Sequence, residues 1–313
     1  MAHPATLIPW LAEQLGVEPV GWSAVGGGCI HSAWRLDLAD GRRLFAKTNG
    51  ASALPILEAE AEGLRGLAAA AGAEGPRVPV PLACGVAGPS AVLVLPWLDL
   101  ARGRSAAHEP QWRRLGAALA ALHRQSLTRT CVAEDRAGEA FGWPRDNVIG
   151  SFPQRNGWEA DWGRFFVERR LAPQLEHLAS SGHPLRRAAA LLERTAEWLG
   201  RHRPEPCLVH GDLWSGNAAV TSDGQGVIFD PAVHRGDREV DLAMARLFGG
   251  FPEAFFEGYQ ESWPLPSGHR SRRELYNLYH LLNHANLFGG SYVGQSEACL
   301  DALLDRGDGQ GWG

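Results

Sequence analysis

The spacing of apolar residues changes near residue 100. Before that point, short segments of alternating apolar and polar residues are separated by turn signals, as is typical of strands. Strands are predicted at 30–38, 43–47, 78–80 and 91–95. Between the second and third of these, Leu57, Ala61, Leu64 and Ala68 recur at helical spacing and predict an amphipathic helix. The first part of the chain is therefore expected to be rich in strands.

After residue 98 the pattern becomes helical. Apolar helix faces are predicted from Trp112 to Leu122, from Phe165 to Leu178, from Leu185 to Leu199, and over 274–287. The segment 141–162 interrupts them, because it is rich in Gly, Pro and Asn and carries Trp143, Trp158 and Trp162. Two interpretations stay open for this segment: an ordered loop that lines a substrate pocket, or a loop that only packs against its neighbours.

Together these patterns predict an α+β fold with two lobes. A small β-rich lobe is expected over residues 1–98 and a larger, mainly helical lobe over 99–313. The chain has 313 residues, of which 45% are hydrophobic and 21% charged, so it is long enough to bury a sizeable core and has an ordinary globular composition.

Charge and cysteine usage narrow the setting. The formal net charge of −5 argues against nucleic acid or an anionic membrane as the main partner. We find neither a signal-peptide pattern nor an apolar run of membrane-spanning length in the sequence. The 5 cysteines are odd in number and scattered, which indicates reduced thiols and hence a cytoplasmic location.

The segment 207–242 carries the strongest chemical signal. A short apolar run at 208–209 precedes Asp212, Asn217 follows five residues later, and a second apolar run at 227–229 ends on Asp230. With a turn signal at 222–224, the simplest prediction is a β-hairpin that presents all three side chains at one end. An Asp, an Asn five residues on, and an Asp at a strand end match the spacing of kinase catalytic and metal-binding loops. The alternative is an Asx-rich turn that only bonds the backbone.

The basic residues add a second signal. Of the 30 Lys and Arg residues a single one, Lys47, is lysine, which indicates a site that needs a compact ammonium. Lys47 ends a predicted strand, a glycine-rich turn at Gly26, Gly27 and Gly28 precedes it, and Glu60 on the following helix is expected to reach it. A glycine-rich turn, a strand lysine and a helix glutamate occur in this order in kinases, where they hold nucleotide phosphates.

A hinge is predicted where the strand at 91–95 ends. The residues that follow this strand are Pro96, Trp97 and Leu98. If an adenine binds here, the donor should be the Leu98 amide, because proline has no N–H to donate.

With these motifs in view, the chain resembles the fructosamine-3-kinase (ketosamine kinase) family, which is related to the aminoglycoside and choline kinases. The matching motifs run along nearly the whole chain. They are GGGCI at 26–30, LFAK at 44–47, LGAALAALH at 115–123, FGWPRDNVIG and QRNGW within 141–158, HGDLWSGN at 210–217, FDPA at 229–232, GDREVDLAM at 236–244, LFGGFP at 247–252 and LNHANLFGGSY at 282–292.

The resemblance implies a protein-kinase-like fold and ATP- and Mg²⁺-dependent phosphorylation of the sugar 3-hydroxyl of a ketosamine, followed by breakdown that deglycates the amine. The implied roles are catalytic base for Asp212, Mg²⁺ ligands for Asn217 and Asp230, phosphate binding for Lys47 with Glu60, phosphate cover for Gly26–Gly28, adenine contacts for Trp97 and Leu98, a substrate platform for Trp214, and a brace of the catalytic loop for Asp241.

Three further expectations accompany this reading. Cys29 lies in the glycine-rich turn and is a candidate redox switch. A monomer or a weak homodimer is expected. Two alternatives stay open, a kinase for another hydroxylated amine of the aminoglycoside or choline type, and a pseudokinase that binds nucleotide without turnover.

Overall fold

A computed structural model of the chain describes residues 4–26, 31–101 and 108–306. The N-terminal part forms an antiparallel five-stranded sheet in the order β1-β2-β3-β5-β4. Its strands are β1 (Pro19–Val25), β2 (Ser32–Leu38), β3 (Arg43–Gly50), β4 (Ala83–Ala87) and β5 (Ser90–Pro96). Helix α1 (Ile8–Leu15) precedes the sheet, and α2 (Leu54–Ala71) connects β3 to β4. The predicted strand-rich region is confirmed.

Strand β5, which pairs with β3 and β4, shows how the sheet is held between two layers. Val92 and Val94 are fully buried with Leu36 and Leu44 in a core beneath α1. Leu93, on the opposite face, is buried in a second core with residues of α2. Since successive side chains of a strand point to opposite faces, β5 must be apolar throughout, which is why AVLVL is uninterrupted.

The prediction of a strand at 78–80 is wrong. Only Arg77 forms an isolated bridge, to Val227, and the chain enters a strand later, at Ala83. Pro79 and Pro81 lack the N–H groups that a ladder requires, so this segment connects α2 to β4 without pairing.

The C-terminal part is mainly helical, as predicted. Its helices are α3 (Glu109–Ser126), α4 (Trp162–Phe166), α5 (Ala172–Ser180), α6 (Ala188–Leu199), α7 (Glu239–Leu247), α8 (Glu253–Ser262), α9 (His269–Phe288) and α10 (Ser291–Asp305). A π-helical turn at Val167–Leu171 joins α4 to α5, so the apolar face from Phe165 to Leu178 runs along one continuous helical path and is buried. We find no helix in the described part of the chain that is long and apolar enough to cross a membrane.

Segment 141–162 is built as a packed loop. It contains the hairpin of β6 (Asn147–Ile149) and β7 (Phe152–Gln154), and its Trp143 and Trp162 are only 2% exposed. For these two tryptophans the structure favours the packing interpretation, whereas Trp158 is half-buried.

Buried amides hold this loop in place. Asn147 donates to the Val233 carbonyl at 2.8 Å, and its own Oδ1 accepts from Gln154 at 2.8 Å and from Asn156 at 2.9 Å. The loop is therefore attached through Asn147 to the segment that follows Asp230.

Candidate active site

The predicted hairpin around Asp212 is replaced by two separate strand pairs. Strand β8 (Cys207–Val209) pairs with β11 (His234–Gly236), while β9 (Ala218–Val220) pairs with β10 (Gly226–Ile228). The turn at 222–224 does join two strands, but the run at 208–209 does not pair with the run at 227–229. The hairpin prediction was wrong in its pairing because local sequence marks strands and turns without naming the partner strand.

Asn217 nevertheless brings the predicted residues together. Its Nδ2 lies 3.0 Å from the Asp212 carbonyl, 3.3 Å from Asp212 Oδ2 and 3.2 Å from the Asp230 carbonyl. Because these contacts engage the amide nitrogen, Oδ1 is the amide atom that can ligate a cation. One side chain thus ties the loop after β8 to the end of β10.

Lys47 lies between two carboxylates from different parts of the chain. Its Nζ donates to Glu60 Oε1 at 2.8 Å and to Asp230 Oδ1 at 2.6 Å. Glu60 is the glutamate that the sequence analysis selected on α2. Burial opposes protonation of Lys47, but Glu60 and Asp230 outweigh it and hold its pKa above the usual range. Lys47 is therefore a fixed cation at the junction of the sheet and the helical part.

Asp230 has the features of a functional carboxylate. Its φ of 60° is a left-handed conformation that non-glycine residues rarely adopt, and such strain is concentrated at functional sites. Its side chain is 54% exposed. Burial of the surroundings disfavours ionisation, but the Lys47 ammonium outweighs that effect and lowers the pKa of Asp230.

The pKa of Asp212 is shifted in the opposite direction from that of Asp230. Burial raises its pKa to about 8, and the negative charges of Asp230 and Asp241 add to the rise, against a hydrogen bond from Asn217. The site therefore holds more carboxylate than its one lysine neutralises. Mg²⁺ prefers carboxylate and amide oxygens as ligands. The Asp230 carboxylate and Asn217 Oδ1 supply such oxygens and fit that ion.

A buried brace holds the loop that carries Asp212, and the bracing contact expected for Asp241 is present. Asp241 Oδ2 accepts from the His210 amide at 2.7 Å, and Oδ1 accepts from the Gly211 amide at 2.8 Å. The carboxylate also accepts from His123 Nε2 at 3.1 Å, and the His123 ring contacts the Tyr259 hydroxyl at 2.9 Å. Sequence reasoning missed His123 and Tyr259, which read there only as helix positions.

His210 and Gly211 have backbone reasons for their identities. His210 Nε2 donates to the Phe229 carbonyl at 3.0 Å while Nδ1 accepts from the Asp212 amide at 3.3 Å, so the ring is neutral and its tautomer is set. Burial lowers its pKa and maintains that state. Gly211 has a φ of 79°, and a Cβ there would lie 2.1 Å from the Ala232 carbonyl oxygen, so no other residue fits.

Trp214 stands at the open side of the site. Its side chain is 41% exposed, and its indole ring covers Gly216 so closely that a Cβ on Gly216 would lie 2.2 Å from it. Asp212 thus has an exposed aromatic face two residues away. This placement is compatible with the predicted platform role, which stays a prediction.

The predicted hinge runs from the sheet along the β9–β10 pair. The Trp97 amide donates to the Arg43 carbonyl at 3.4 Å, and the Ala101 amide donates to the Val220 carbonyl at 2.8 Å. Beside it lies a cavity of about 270 Å³ lined by residues that include Leu100, Trp112 and Phe229. Half-buried Leu98 lies on this path, and its predicted adenine contact is untested.

The glycine-rich turn is described only at its start. Gly26 follows β1, and a Cβ on it would meet no atom of the described residues within 4 Å. Gly27, Gly28 and Cys29 lie outside the described residues. Their predicted roles in phosphate cover and redox control therefore stay predictions.

The fold and the site together define a phosphotransferase of the protein-kinase-like class. An open antiparallel sheet carries a lysine that pairs with a helix glutamate, and the helical part brings together Asp212, Asn217 and Asp230 at the kinase spacing.

Comparison with known proteins gives the family. The sequence model of the fructosamine kinase family matches residues 5–306, and the chain belongs to that family. A probable ketoamine kinase from Synechocystis sp. is 42% identical over 282 residues, which cover 90% of this chain and 89% of the relative. A chloroplastic protein-ribulosamine 3-kinase from Oryza sativa is 34% identical over 313 aligned residues, which cover 94% of this chain and 82% of the relative.

Solved structures agree on the fold. A Haemophilus somnus protein assigned as a fructosamine-3-kinase superposes with a TM-score of 0.83 at 26% identity, over 95% of this chain and 96% of that one. An aminoglycoside phosphotransferase, solved as a ternary complex with ADP and hygromycin B, gives a TM-score of 0.63 at 16% identity, over 97% of this chain and 100% of that one. The second similarity shows the shared fold alone.

Proposed function

We propose that this protein transfers the γ-phosphoryl group of ATP to the sugar 3-hydroxyl of a ketosamine, the adduct of a ketose with an amine or a lysine side chain. The observation that carries the proposal is the Lys47–Glu60–Asp230 contact beside Asp212 and Asn217. Family membership and relatives named as ketoamine and ribulosamine kinases support the acceptor class.

In this proposal Asp212 accepts the proton of the acceptor hydroxyl as its oxygen attacks the γ-phosphorus, and ADP leaves with the electrons of the broken P–O bond. Lys47 contacts the nucleotide phosphates from β3, and Glu60 orients the ammonium. Asp241 holds the loop that carries Asp212, so the carboxylate is positioned before substrate arrives.

Asp230 and Asn217 would hold Mg²⁺, which neutralises phosphate charge when bound. The charge states of Asp230 and Asp212 are consistent with a cation at this position. Asp230 stays ionised beside Lys47, whereas burial raises the pKa of Asp212 and the negative charges of Asp230 and Asp241 raise it further.

The remaining parts of the assignment are also proposals. We place the lobe boundary at residues 98 and 99, the protein in the cytoplasm as a monomer or weak homodimer, and Trp214 against the sugar or its amine. Loss of the amine from the 3-phosphate would make the reaction a deglycation.

The decisive experiment measures ADP release with Mg-ATP and a panel of acceptors, namely ribuloselysine, fructoselysine, an aminoglycoside and choline. We expect turnover on the ketosamines and a loss of roughly 100-fold to 1,000-fold in kcat for Asp212→Asn, because the variant cannot take the proton. Thermal unfolding should show that the variant is folded.

Three other outcomes would change the proposal. Near-normal turnover by Asp212→Asn contradicts its role as the base. Turnover on the aminoglycoside or choline alone keeps the chemistry and replaces the acceptor. If ATP binds but no acceptor is phosphorylated, the protein is a pseudokinase.

A further inference from the structure

The same four-residue sequence occurs at the C-terminal ends of two helices in the C-terminal part. Leu-Phe-Gly-Gly occurs at 247–250, where α7 ends, and again at 287–290, where α9 ends. In the mechanism proposed above neither segment has a task. The second one leads directly into α10, which begins at Ser291.

The two segments meet in one cluster of aromatic rings, which we call the aromatic cluster. It consists of Phe248, His284, Phe288 and Tyr292. The ring centroids of Phe248 and His284 are 4.6 Å apart, those of His284 and Phe288 are 5.5 Å apart, and those of His284 and Tyr292 are 5.1 Å apart. His284 therefore lies at the centre and contacts all three other rings.

The aromatic cluster is open to solvent. Phe248 is 38% exposed and Phe288 is 59% exposed, and among the described residues no other phenylalanine is exposed to this degree. Burying a phenylalanine stabilises a fold by roughly 1.5–3 kcal/mol. The two exposed rings of the cluster do not contribute this free energy to folding. Such a patch is typical of a binding surface.

The surroundings favour a positively charged ligand. The carbonyl ends of α7 and α9 both lie at the cluster and carry partial negative charge, and the N-terminus of α10 offsets only one of them. Aromatic faces also attract cations. Arg246, in the last turn of α7, does not compensate, because it is paired with Glu253 and lies over the ring of Phe256.

His284 supplies a hydrogen-bond acceptor in the middle of the cluster. Its Nδ1 lies 2.8 Å from the His280 carbonyl, which can only accept, so Nδ1 carries the proton. In the neutral ring Nε2 is then an acceptor. Burial lowers the pKa of His284, which favours that neutral form. An ammonium could therefore donate to Nε2 while its methylene groups contact the phenylalanines.

The aromatic cluster lies within reach of the reaction centre. Phe248 follows Asp241 by seven residues on the same helical path, which corresponds to roughly 10 Å. Asp241 itself holds the catalytic loop. Tyr279 lies on α9 five residues before His284, and burial raises the pKa of Tyr279 with a further contribution from the Asp212 charge. Five helical residues rise roughly 7.5 Å, so the helix that carries the cluster also passes Asp212.

We propose that the aromatic cluster binds the alkylammonium part of the acceptor, the cationic amine to which the sugar is attached or a second ammonium next to it. The inference rests on the proposed function, since it assigns the acceptor of the same reaction. It adds a specificity site formed by Phe248, His284, Phe288 and Tyr292, apart from the residues that carry out phosphoryl transfer.

The first test is independent of catalysis and uses tetramethylammonium as the probe, detected by saturation-transfer NMR. The wild type should give a transfer signal on the methyl protons, and Phe288→Ala should lose most of it. Phe288→Leu, which keeps apolar volume without a ring, should lose it as well. Leu82→Ala is the matched control, because Leu82 is 47% exposed in the N-terminal part, and it should keep the signal. An equal signal in all four proteins, or none in the wild type, would overturn the proposal.

The second test measures steady-state kinetics with ribuloselysine and with its Nα-acetyl form. Loss of one ring should raise KM for the acceptor roughly five- to tenfold with little change in kcat, the size expected for a cation–π contact. If the sugar-bearing nitrogen is bound, Phe288→Ala raises KM for both acceptors. If the α-ammonium is bound, the rise is confined to the acceptor with a free α-amine.

The two proposals can fail separately. Unchanged KM for both acceptors in Phe288→Ala, together with normal turnover, overturns the aromatic cluster as a specificity site and leaves the kinase assignment standing. If the wild type phosphorylates no ketosamine yet tetramethylammonium binding depends on Phe288, the cation site stands and the acceptor assignment fails.

Discussion

Two groups of charged residues in this protein are built in opposite ways. In the helical part, Arg235 and Asp135 are both 0% exposed and form a bidentate pair with N–O distances of 2.5 and 2.6 Å. In the active site, Lys47 is the one cation between Glu60 and Asp230, and Asp230 is 54% exposed. Among the residues that the structure describes, the first group is closed and balanced, whereas the second is open and holds more carboxylates than cations.

We infer that this difference separates charges that support the fold from charges that the proposed function assigns to chemistry. Arg235 uses its remaining N–H groups on the carbonyls of Ser126, Pro206 and Arg129, so none of its donors points to a ligand. It closes the junction between α3, β8 and β11. Arg235 is therefore a structural residue of the fold.

The largest effect should come from breaking the closed pair. Arg235→Met leaves Asp135 buried without its partner, and we expect a loss of about 3–5 kcal/mol in the free energy of unfolding, measured by urea denaturation. The double variant Arg235→Met with Asp135→Leu should recover much of that loss. If the single variant is as stable as the wild type, the pair does not support the fold.

Breaking the open group should affect function more than stability. Lys47→Arg keeps the charge, but a planar guanidinium cannot reproduce the two contacts of 2.8 and 2.6 Å in the same space. We expect kcat/KM for ATP to fall roughly 10–100-fold while the unfolding midpoint stays close to that of the wild type. Arg35→Lys, at a half-exposed pair on β2, is a control that should change neither quantity.

Acid should lower the free energy of unfolding, and part of this loss can be assigned to His280. Burial lowers the pKa of His280 to about 3, so this ring stays neutral in the fold while it titrates near 6.5 when unfolded. Its stabilising contribution is complete above the unfolded pKa and is lost as pH falls towards the folded pKa. Between pH 7.5 and 5.5 we expect a loss of about 1.4 kcal/mol from His280.

Urea denaturation at the two pH values checks this, with His280→Gln as the comparison. The variant should show a smaller difference between pH 7.5 and 5.5 than the wild type. The same pH dependence in both proteins would show that His280 is not responsible.

The smallest effect concerns the contact between the loop at 141–162 and α2. Trp143 Nε1 donates to Glu62 on α2 at 2.9 Å, and its ring lies so close to Gly66 that a Cβ there would be 3.0 Å away. Trp143→Phe should cost about 1 kcal/mol and raise KM for ATP no more than a few-fold, because α2 also carries Glu60. A large loss of kcat would instead place Trp143 directly in the chemistry.

Much of the site was predictable from sequence because its signals are local. Lys47 stood out by composition, Glu60 by its place on a helix with a clear apolar face, and Asp212 and Asn217 by their spacing. The errors concern pairing between distant segments, as in the assumed hairpin of 208–209 with 227–229 and the assumed strand at 78–80. The alternation of apolar and polar residues does not show which strand is the pairing partner. In the segment at 78–80, Pro79 and Pro81 lack the N–H donors that pairing requires.

The sequence alone determined which residues could do chemistry, the change from a strand-rich to a helical part near residue 100, and that Lys47 is the single lysine of the chain. Only the tertiary structure decided that His123 and Tyr259 support Asp241, that Arg235 pairs with buried Asp135, and that two Phe-Gly-Gly segments 40 residues apart share one exposed cluster. Helical and strand periodicity arise from neighbours along the chain. Burial, and with it the pKa of each buried group, depends on distant segments that meet only when the chain folds.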